Sequence, residues 1–245
     1  MDSLGIISGT MPLLDLGIFD HLKRETFHGE AGQIEVLTGK DLVFISRHGH
    51  ETVKFTPPHL VPHLLHFKAL AEIGVREVIG IYSTGSLKVH LKPGMLVAPD
   101  DFICLYPTAT SVTNAPHHIT PVIDDRTRKN IIAAAEELNL DLVAGGIYWQ
   151  TAGPRLETRA EIRMMAGAAD LVGMTLASEA VLAGELGISF GAICSVDNYA
   201  HGIGNAELKE ADIRIQARRN AENIGRIISR YIEHFRIRTR PAGRV

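Results

Sequence analysis

The chain is expected to form a single α/β domain with a central mixed sheet flanked by helices. Two observations carry that expectation. Short apolar runs alternate with stretches of helical periodicity along the whole chain, the pattern of strands covered by helices in layers. The apolar runs also end in glycine, hydroxyl or basic residues, and the ends of such strands are where α/β folds hold ligands. No internal repeat, low-complexity tract or domain boundary interrupts the alternation.

Taken in order, the chain opens with an apolar run ending in Ser8-Gly9-Thr10. A second run, Leu42–Ser46, ends in Arg47-His48-Gly49-His50. Leu60–Ile73 has a helical apolar face built from Leu64, Leu65, Phe67, Leu70, Ala71 and Ile73, with Gly74 in the C-cap position. Val75–Tyr82 is a strand leading into Ser83-Thr84-Gly85-Ser86-Leu87. Met95–Ile103 is another, led in by Pro93-Gly94. Leu105–Pro121, rich in Thr, Ser, Asn, Pro and His, is a long loop of the kind that forms lids or interfaces. Asp125–Leu138 is a helix stopping at Asn139, and Leu142–Trp149 is a buried strand. The chain breaks at Gly153-Pro154, and a helix starts at Glu157-Thr158 and runs through Glu161, Met164 and Met165. A further run reaches Val172-Gly173-Met174-Thr175. Ser178–Leu186 is a helix stopped by Gly187, and Ile188–Val196 is a strand ending in Asp197-Asn198-Tyr199. A long helix spans about 206–235, and the basic segment 236–245 is expected to be a frayed, solvated tail.

Composition narrows the functional classes. With 245 residues and 45% hydrophobic content the chain can bury one sizeable core. A net charge of -3 and a pI near 6.5 argue against a nucleic-acid partner. Cys104 and Cys194 lie in apolar runs and read as buried free thiols of a reducing, cytoplasmic compartment. No apolar run approaches the roughly 20 residues that span a bilayer, and the N-terminus has no signal-peptide pattern. Neither a membrane nor a nucleic acid is therefore an expected partner.

The ordered series SGTM, RHGH, STGSL, YWQTAGPRLET, VGMT and VDNYAHGI resembles the trimeric purine nucleoside phosphorylases, a family that includes methylthioadenosine and methylthioinosine phosphorylases. The resemblance runs from about Gly5 to about Tyr231. It implies a nucleoside-phosphorylase domain over residues 1–235, a partly barrel-like sheet and a homotrimer. It also implies phosphate-dependent cleavage of a purine nucleoside to free purine and a ribose 1-phosphate, as in purine salvage. That chemistry needs no metal and no organic cofactor: inorganic phosphate is the co-substrate, and the work is positioning and electrostatics.

The resemblance assigns Thr10, Arg47, His48, Ser83, Thr84 and Thr175 to phosphate. Arg47 offers a planar fork suited to an oxyanion, and the Gly9-Thr10 and Gly85-Ser86 turns can aim backbone N–H groups at one. Read alone, Arg47-His48 is a loop pair and Thr10 a turn residue. The chain departs from the family in these loops: Met11 stands where a glycine is usual, and Pro62, His63 and His66 where an Asn-Tyr pair and a later Asn are usual.

Base recognition falls on Glu157 and Asn198. A 6-oxopurine donates from N1, so a carboxylate can accept there; an amide can serve O6 and a protonated N7. The pair implies inosine, guanosine or methylthioinosine. A shift of one position would put Asp197 at the base and favour a 6-aminopurine, making a methylthioadenosine phosphorylase the alternative. Read without the family, Glu157 caps a helix start and Asp197-Asn198 is a turn pair. Met174 matches a methionine beneath the ribose, although a Met at a strand end is more often core. His118 matches a histidine supplied by a neighbouring subunit, and Glu210 aligns near the 5′ group, where a helix-start Glu also serves the dipole.

Two rival readings come from the same residues. The spacings His48/His50 and His59/His63/His66 suit a metal, but HEXXH and zinc-finger spacings are absent. The altered phosphate loops also fit a homologue that binds purines, or another planar ligand, without turnover.

Overall fold

The computed structural model describes residues 3–30, 32–49, 55–114, 116–204 and 210–239; the side chains of 210–212, 214 and 239 lie outside the description. Among the described residues the chain forms eleven strands and five α-helices. The strands are β1 (Ser3–Ser8), β2 (Lys23–Gly29), β3 (Gly32–Thr38), β4 (Leu42–Ser46), β5 (Val75–Ser86), β6 (Leu96–Ala98), β7 (Asp101–Ile103), β8 (Leu142–Ala144), β9 (Ile147–Gln150), β10 (Leu171–Gly173) and β11 (Ser189–Tyr199). The helices are α1 (His63–Ile73), α2 (Asp125–Glu137), α3 (Arg159–Met165), α4 (Leu176–Glu185) and α5 (Glu210–Thr239).

One mixed sheet holds every strand, in the order β2-β3-β4-β1-β5-β10-β9-β7, with β11 also on β5, β6 on β11 and β8 on β6. β5 is the branch point, lying parallel to β1 and β11 and meeting β10 antiparallel at its end. The expected strand Met95–Ile103 is two pieces, β6 and β7, bent at Pro99-Asp100. Leu142–Trp149 is likewise split into β8 and β9 by Gly145 and Gly146, both at positive φ (126° and 128°). Each bent pair spans both arms of the branch, since β6 holds β8 and β7 holds β9. The pairings therefore close into a ring through β5, β11, β6–β7, β8–β9 and β10, which gives the sheet its barrel-like part.

Helices cover the sheet because their apolar residues recur at helical spacing. In α5, Ala217, Ala221, Ile224, Ile228, Tyr231 and Phe235 are buried at steps of four and three residues. From Ala221 onward they pack with β1, β4 and β11 residues such as Ile6, Phe44 and Ile193. Burying each Ile of this stripe contributes about 1.5–3 kcal/mol. α1 and α4 contribute Phe67, Leu70, Ala180 and Leu182 to the other principal core. Gly74 ends α1 at φ 91°, and Gly187 follows α4 at φ 66°. Asn139 takes φ 51° just past α2.

Three details differ from the sequence reading. The hairpin β2–β3 was not expected; its outer strand is mostly exposed and charged, so it lacks the apolar signature of a strand. α5 runs through Thr239 rather than stopping at 235, because Arg236 pairs with Asp41 (2.8 Å) and Arg238 with Glu77 (3.1 Å). The first residues of the expected solvated tail are thus anchored, while 240–245 lie outside the described residues. Cys194 is buried, but Cys104 is half-buried; both are free thiols. The stretch 105–121 carries no helix or strand among its described residues, as its composition implies. No helix among the described residues is long and apolar enough to cross a membrane.

Candidate active site

The strand ends converge on one cavity of about 190 Å³. Its walls include Gly9 and Thr10 after β1, Arg47 and His48 after β4, and Ser83, Thr84 and Gly85 at the end of β5. Glu157 precedes α3, Met174 and Thr175 link β10 to α4, and Asn198 lies near the end of β11. The residues predicted from separate segments for phosphate, sugar and base therefore share one space. Two do not join it. His118 is exposed in its loop and absent from the walls. Glu210 opens α5, and its side chain lies outside the described residues.

The anion end is built as follows. Thr175, the N-cap residue of α4, lines the cavity, so the positive end of that helix lies at its wall; the Ser178 amide is taken by Gln150 Oε1 (3.1 Å) and the Thr175 amide faces Tyr148 OH (3.4 Å). Thr84 is buried and its hydroxyl donates to Ser195 O (2.8 Å). Thr10 is exposed and Ser83 half-buried. Met11 is buried in the core with Leu13 and Phe19 and takes no positive φ, so the missing glycine is absorbed without strain.

Arg47 differs most from expectation. It is 2% exposed, and its flat edge is engaged by Glu179 through Nε–Oε1 (2.5 Å) and Nη2–Oε2 (3.0 Å). Nη1 donates to Ile81 O (2.9 Å), and the guanidinium lies over the Tyr82 ring. Nη2 also donates to Ile7 O (3.5 Å), so of its five N–H groups one on Nη1 is left for the cavity, where Nη1 sits against Gly9. A Cβ at Gly9 would come within 2.7 Å of Nη1, so glycine permits that approach. Glu179 also accepts from Tyr82 OH (2.6 Å), and His63 Nδ1 lies 3.4 Å from its Oε1. Burial alone would raise its pKa, but Arg47 and His63 hold it well below the ordinary carboxylate range. Burial also works against the charge on Arg47, and Glu179 more than offsets it. Glu179 escaped the sequence reading, which named Tyr82 only as a strand end and His63 only as a departure from the family and a metal candidate. The available signal was a lone carboxylate inside the apolar run Leu176–Ala183, which demands a buried partner.

His48 Nδ1 lies 2.7 Å from Thr56 O and its ring stacks on Phe55. Burial, then Arg47, lowers its pKa to about 4. His63 and His66 sit buried on α1 and His59 is exposed, while His50 lies outside the described residues. Among the described residues, no group of three or more His, Cys, Asp or Glu is arranged to hold a metal ion.

At the base end, the helix cap is made by Thr158, which forms a capping box with Glu161. Glu157 is therefore not spent on capping. It is 8% exposed, lines the cavity and accepts from Thr151 Oγ1 (2.6 Å). The register of β11 against β5 shifts between Val196 and Asn198, setting Asn198 beside Gly85 on the cavity wall. One amide N–H of Asn198 is held by Tyr199 O (2.8 Å). Asp197 does not line the cavity; it accepts from Ser195 Oγ and from Asn220 Nδ2 of α5 (3.4 Å), which also donates to Ser195 Oγ (2.6 Å). Met174 lies against Gly153, whose added Cβ would come within 2.6 Å of the sulfur.

Asp197 carries a measurable consequence. Burial raises its pKa from 3.8 to about 6, against hydrogen bonds from Ser195, Ser83 and Asn220. The native state then holds this proton more tightly than the unfolded chain. Nothing is lost below about pH 4. Stability falls as pH rises through 6 and stays lower by about 3 kcal/mol above it. Asp197→Asn is expected to raise the melting temperature at about pH 8 and leave it nearly unchanged at about pH 4. Equal shifts at both would contradict the assignment.

Relatives of known description match this chain over most of its length. A probable 6-oxopurine nucleoside phosphorylase from Archaeoglobus fulgidus is 35% identical, over 94% of this chain and 96% of its own. A probable S-methyl-5'-thioinosine phosphorylase from Methanothermobacter thermautotrophicus is 36% identical over 84% and 74%. An S-methyl-5'-thioadenosine phosphorylase from Pyrococcus horikoshii is 39% identical over 81% and 80%. The fold is shared with methylthioadenosine phosphorylase from Schistosoma mansoni solved in complex with adenine, at TM-score 0.85 and 22% identity, covering 97% and 93% of the two chains. The model of the Phosphorylase superfamily matches residues 4–233, and with these relatives it shows that the chain belongs to that family.

Proposed function

We propose that this chain is a purine nucleoside phosphorylase that cleaves 6-oxopurine nucleosides with inorganic phosphate, giving the free base and a pentose 1-phosphate. The observation that carries the reading is the placement of Glu157 and Asn198 on one cavity wall with Asp197 turned away. The relatives' names divide between 6-oxo and 6-amino substrates at similar identity, so their identities do not select between the two. The donor–acceptor chemistry of the pair does. Opposite the base lie the α4 N-terminus, the Arg47 N–H and the Thr10 and Ser83 hydroxyls. They suit a phosphate whose oxygen attacks the anomeric carbon as charge flows into the purine. No cofactor enters this scheme. The chain works as a cytoplasmic purine-salvage enzyme.

A panel of inosine, guanosine, adenosine and their methylthio counterparts, each with and without phosphate, tests the reading. Base release is expected to require phosphate, favour the 6-oxo members and survive EDTA. Release without phosphate, or its loss to a chelator, would sink it. A family member that binds without turnover would show base binding and no release in any arm.

The site is completed by a second copy in a homotrimer. This rests on His118, exposed and away from the cavity in its own chain. Mixed assemblies of His118→Ala and Asn198→Ala chains are expected to regain activity wherever one intact composite site forms. Activity no higher than separate sites would give counts against the shared arrangement.

A further inference from the structure

We infer that Thr151 narrows the base site to hypoxanthine nucleosides and against guanine nucleosides, by occupying one of the two carboxylate oxygens of Glu157. The inference rests on the 6-oxopurine reading and deepens it. Thr151 directly follows β9, and its backbone N–H donates to Gly173 O (2.8 Å), which extends the β9–β10 pairing by one residue. Its hydroxyl has one proton and two acceptors in range, Glu157 Oε1 at 2.6 Å and Gly173 O at 3.4 Å. The shorter, charge-assisted contact takes the proton. Thr151 does not line the cavity, so it acts on the base through Glu157 and is a positioning residue.

Both ends of this contact are held. The β-branched side chain of Thr151 has few rotamers, and its backbone is tied to Gly173. The chain at Glu157 is fixed by the Thr158–Glu161 capping box that follows it, and Arg155 grips Glu161 through two contacts (2.9 and 2.7 Å). Oε1 is therefore drawn to the β9–β10 seam, and Oε2 is the oxygen left for the base. Hypoxanthine presents one donor at N1 and needs one acceptor. Guanine presents two parallel donors, N1–H and its 2-amino group, and a carboxylate serves both fully only with both oxygens free. Here the 2-amino N–H meets an oxygen already committed to Thr151. A buried donor left without its acceptor weakens binding, and a purine lacking that group avoids the loss.

The test is kcat/KM for inosine and guanosine with phosphate, together with calorimetric binding of the same nucleosides to the full chain without phosphate. Inosine is expected to exceed guanosine by at least about tenfold in both measures, the scale of one unpaired buried donor. Thr151→Val keeps the shape and removes the hydroxyl, so the ratio should fall to within about threefold. Thr151→Ser keeps the hydroxyl and should retain the wild-type ratio. A role confined to local packing would lower both substrates by one factor, so an unchanged ratio in folded Thr151→Val overturns the inference. If that variant fails to fold, Thr151→Ala takes its place with the same expected fall. A wild-type ratio within about threefold overturns the inference whether or not any variant folds. Equal use of inosine and guanosine with little cleavage of adenosine would overturn this selection alone and leave the 6-oxopurine reading standing. Faster cleavage of adenosine than of either would sink that reading and this inference with it.

Discussion

Glu179→Gln is expected to destabilise the protein by about 3–5 kcal/mol, because it leaves the buried Arg47 charge without a counter-ion. Arg47 is 2% exposed and Glu179 fully buried, so water cannot replace the lost carboxylate. Gln keeps the volume and can still accept from Tyr82, so cavity formation does not account for the loss. In a chain of this size, about 2–4 °C of melting temperature accompanies each kcal/mol, which predicts a drop on the order of 10 °C. A functional signature should accompany it. Freed from Glu179, the guanidinium fork can turn to an anion, so added phosphate should stabilise Glu179→Gln more than the wild type. Replacing both partners by apolar residues, Arg47→Met with Glu179→Leu, should restore most of the stability and abolish phosphate-dependent turnover. Thermal melts with and without phosphate decide the matter. A loss below about 1 kcal/mol, or equal phosphate stabilisation in both proteins, would show that the pair does not hold Arg47 in place.

The Arg47–Glu179 pair also shows where sequence reading stops. Local periodicity exposed the covered strands and helices because burial on one face leaves a repeat in the residues. The run Val75–Tyr82 and its hydroxyl-rich end were legible, as were Gly74 and Gly187 as helix stops. The β2–β3 hairpin was not, since an exposed, charged strand carries no apolar repeat. The bends at Gly145-Gly146 and Pro99-Asp100 were readable as glycine and proline, but their consequence was not: closure of the ring depends on pairings between distant strands. The same limit applies to the site. Arg47 and Glu157 stood out by residue type. That Arg47 spends its fork on a carboxylate 132 positions away follows from packing alone. Thr158, rather than Glu157, caps α3, and this was within reach of the sequence, because Thr158 and Glu161 have capping-box spacing.

Glu157→Ala is expected to lower kcat/KM for inosine-type substrates by roughly a hundredfold or more, and to change adenosine-type turnover far less. The N1 position of a 6-oxopurine donates, and the Glu157 carboxylate accepts. Removing it strands a buried donor, which costs about 1–3 kcal/mol for that contact alone. Thr151, 2.6 Å from Glu157, loses its nearer acceptor in the same variant and keeps Gly173 O at 3.4 Å. With a 6-aminopurine the wild-type relation is reversed: N1 and the carboxylate both accept, and the exocyclic group donates where Asn198 offers its N–H. Two mismatches multiply, so the wild type should discriminate between the bases by a similar factor. Asn198→Asp should narrow that preference, since a carboxylate accepts from the 6-amino group and repels O6. Asp197→Asn should leave it intact, because Asp197 faces Ser195 and Asn220 rather than the cavity. Steady-state kinetics on inosine and adenosine across these variants separate the contributions. Faster cleavage of adenosine or methylthioadenosine by the wild type would refute the base assignment. A preference that moves with Asp197 and not with Asn198 would show that the bulge in β11 presents the other side chain to the purine.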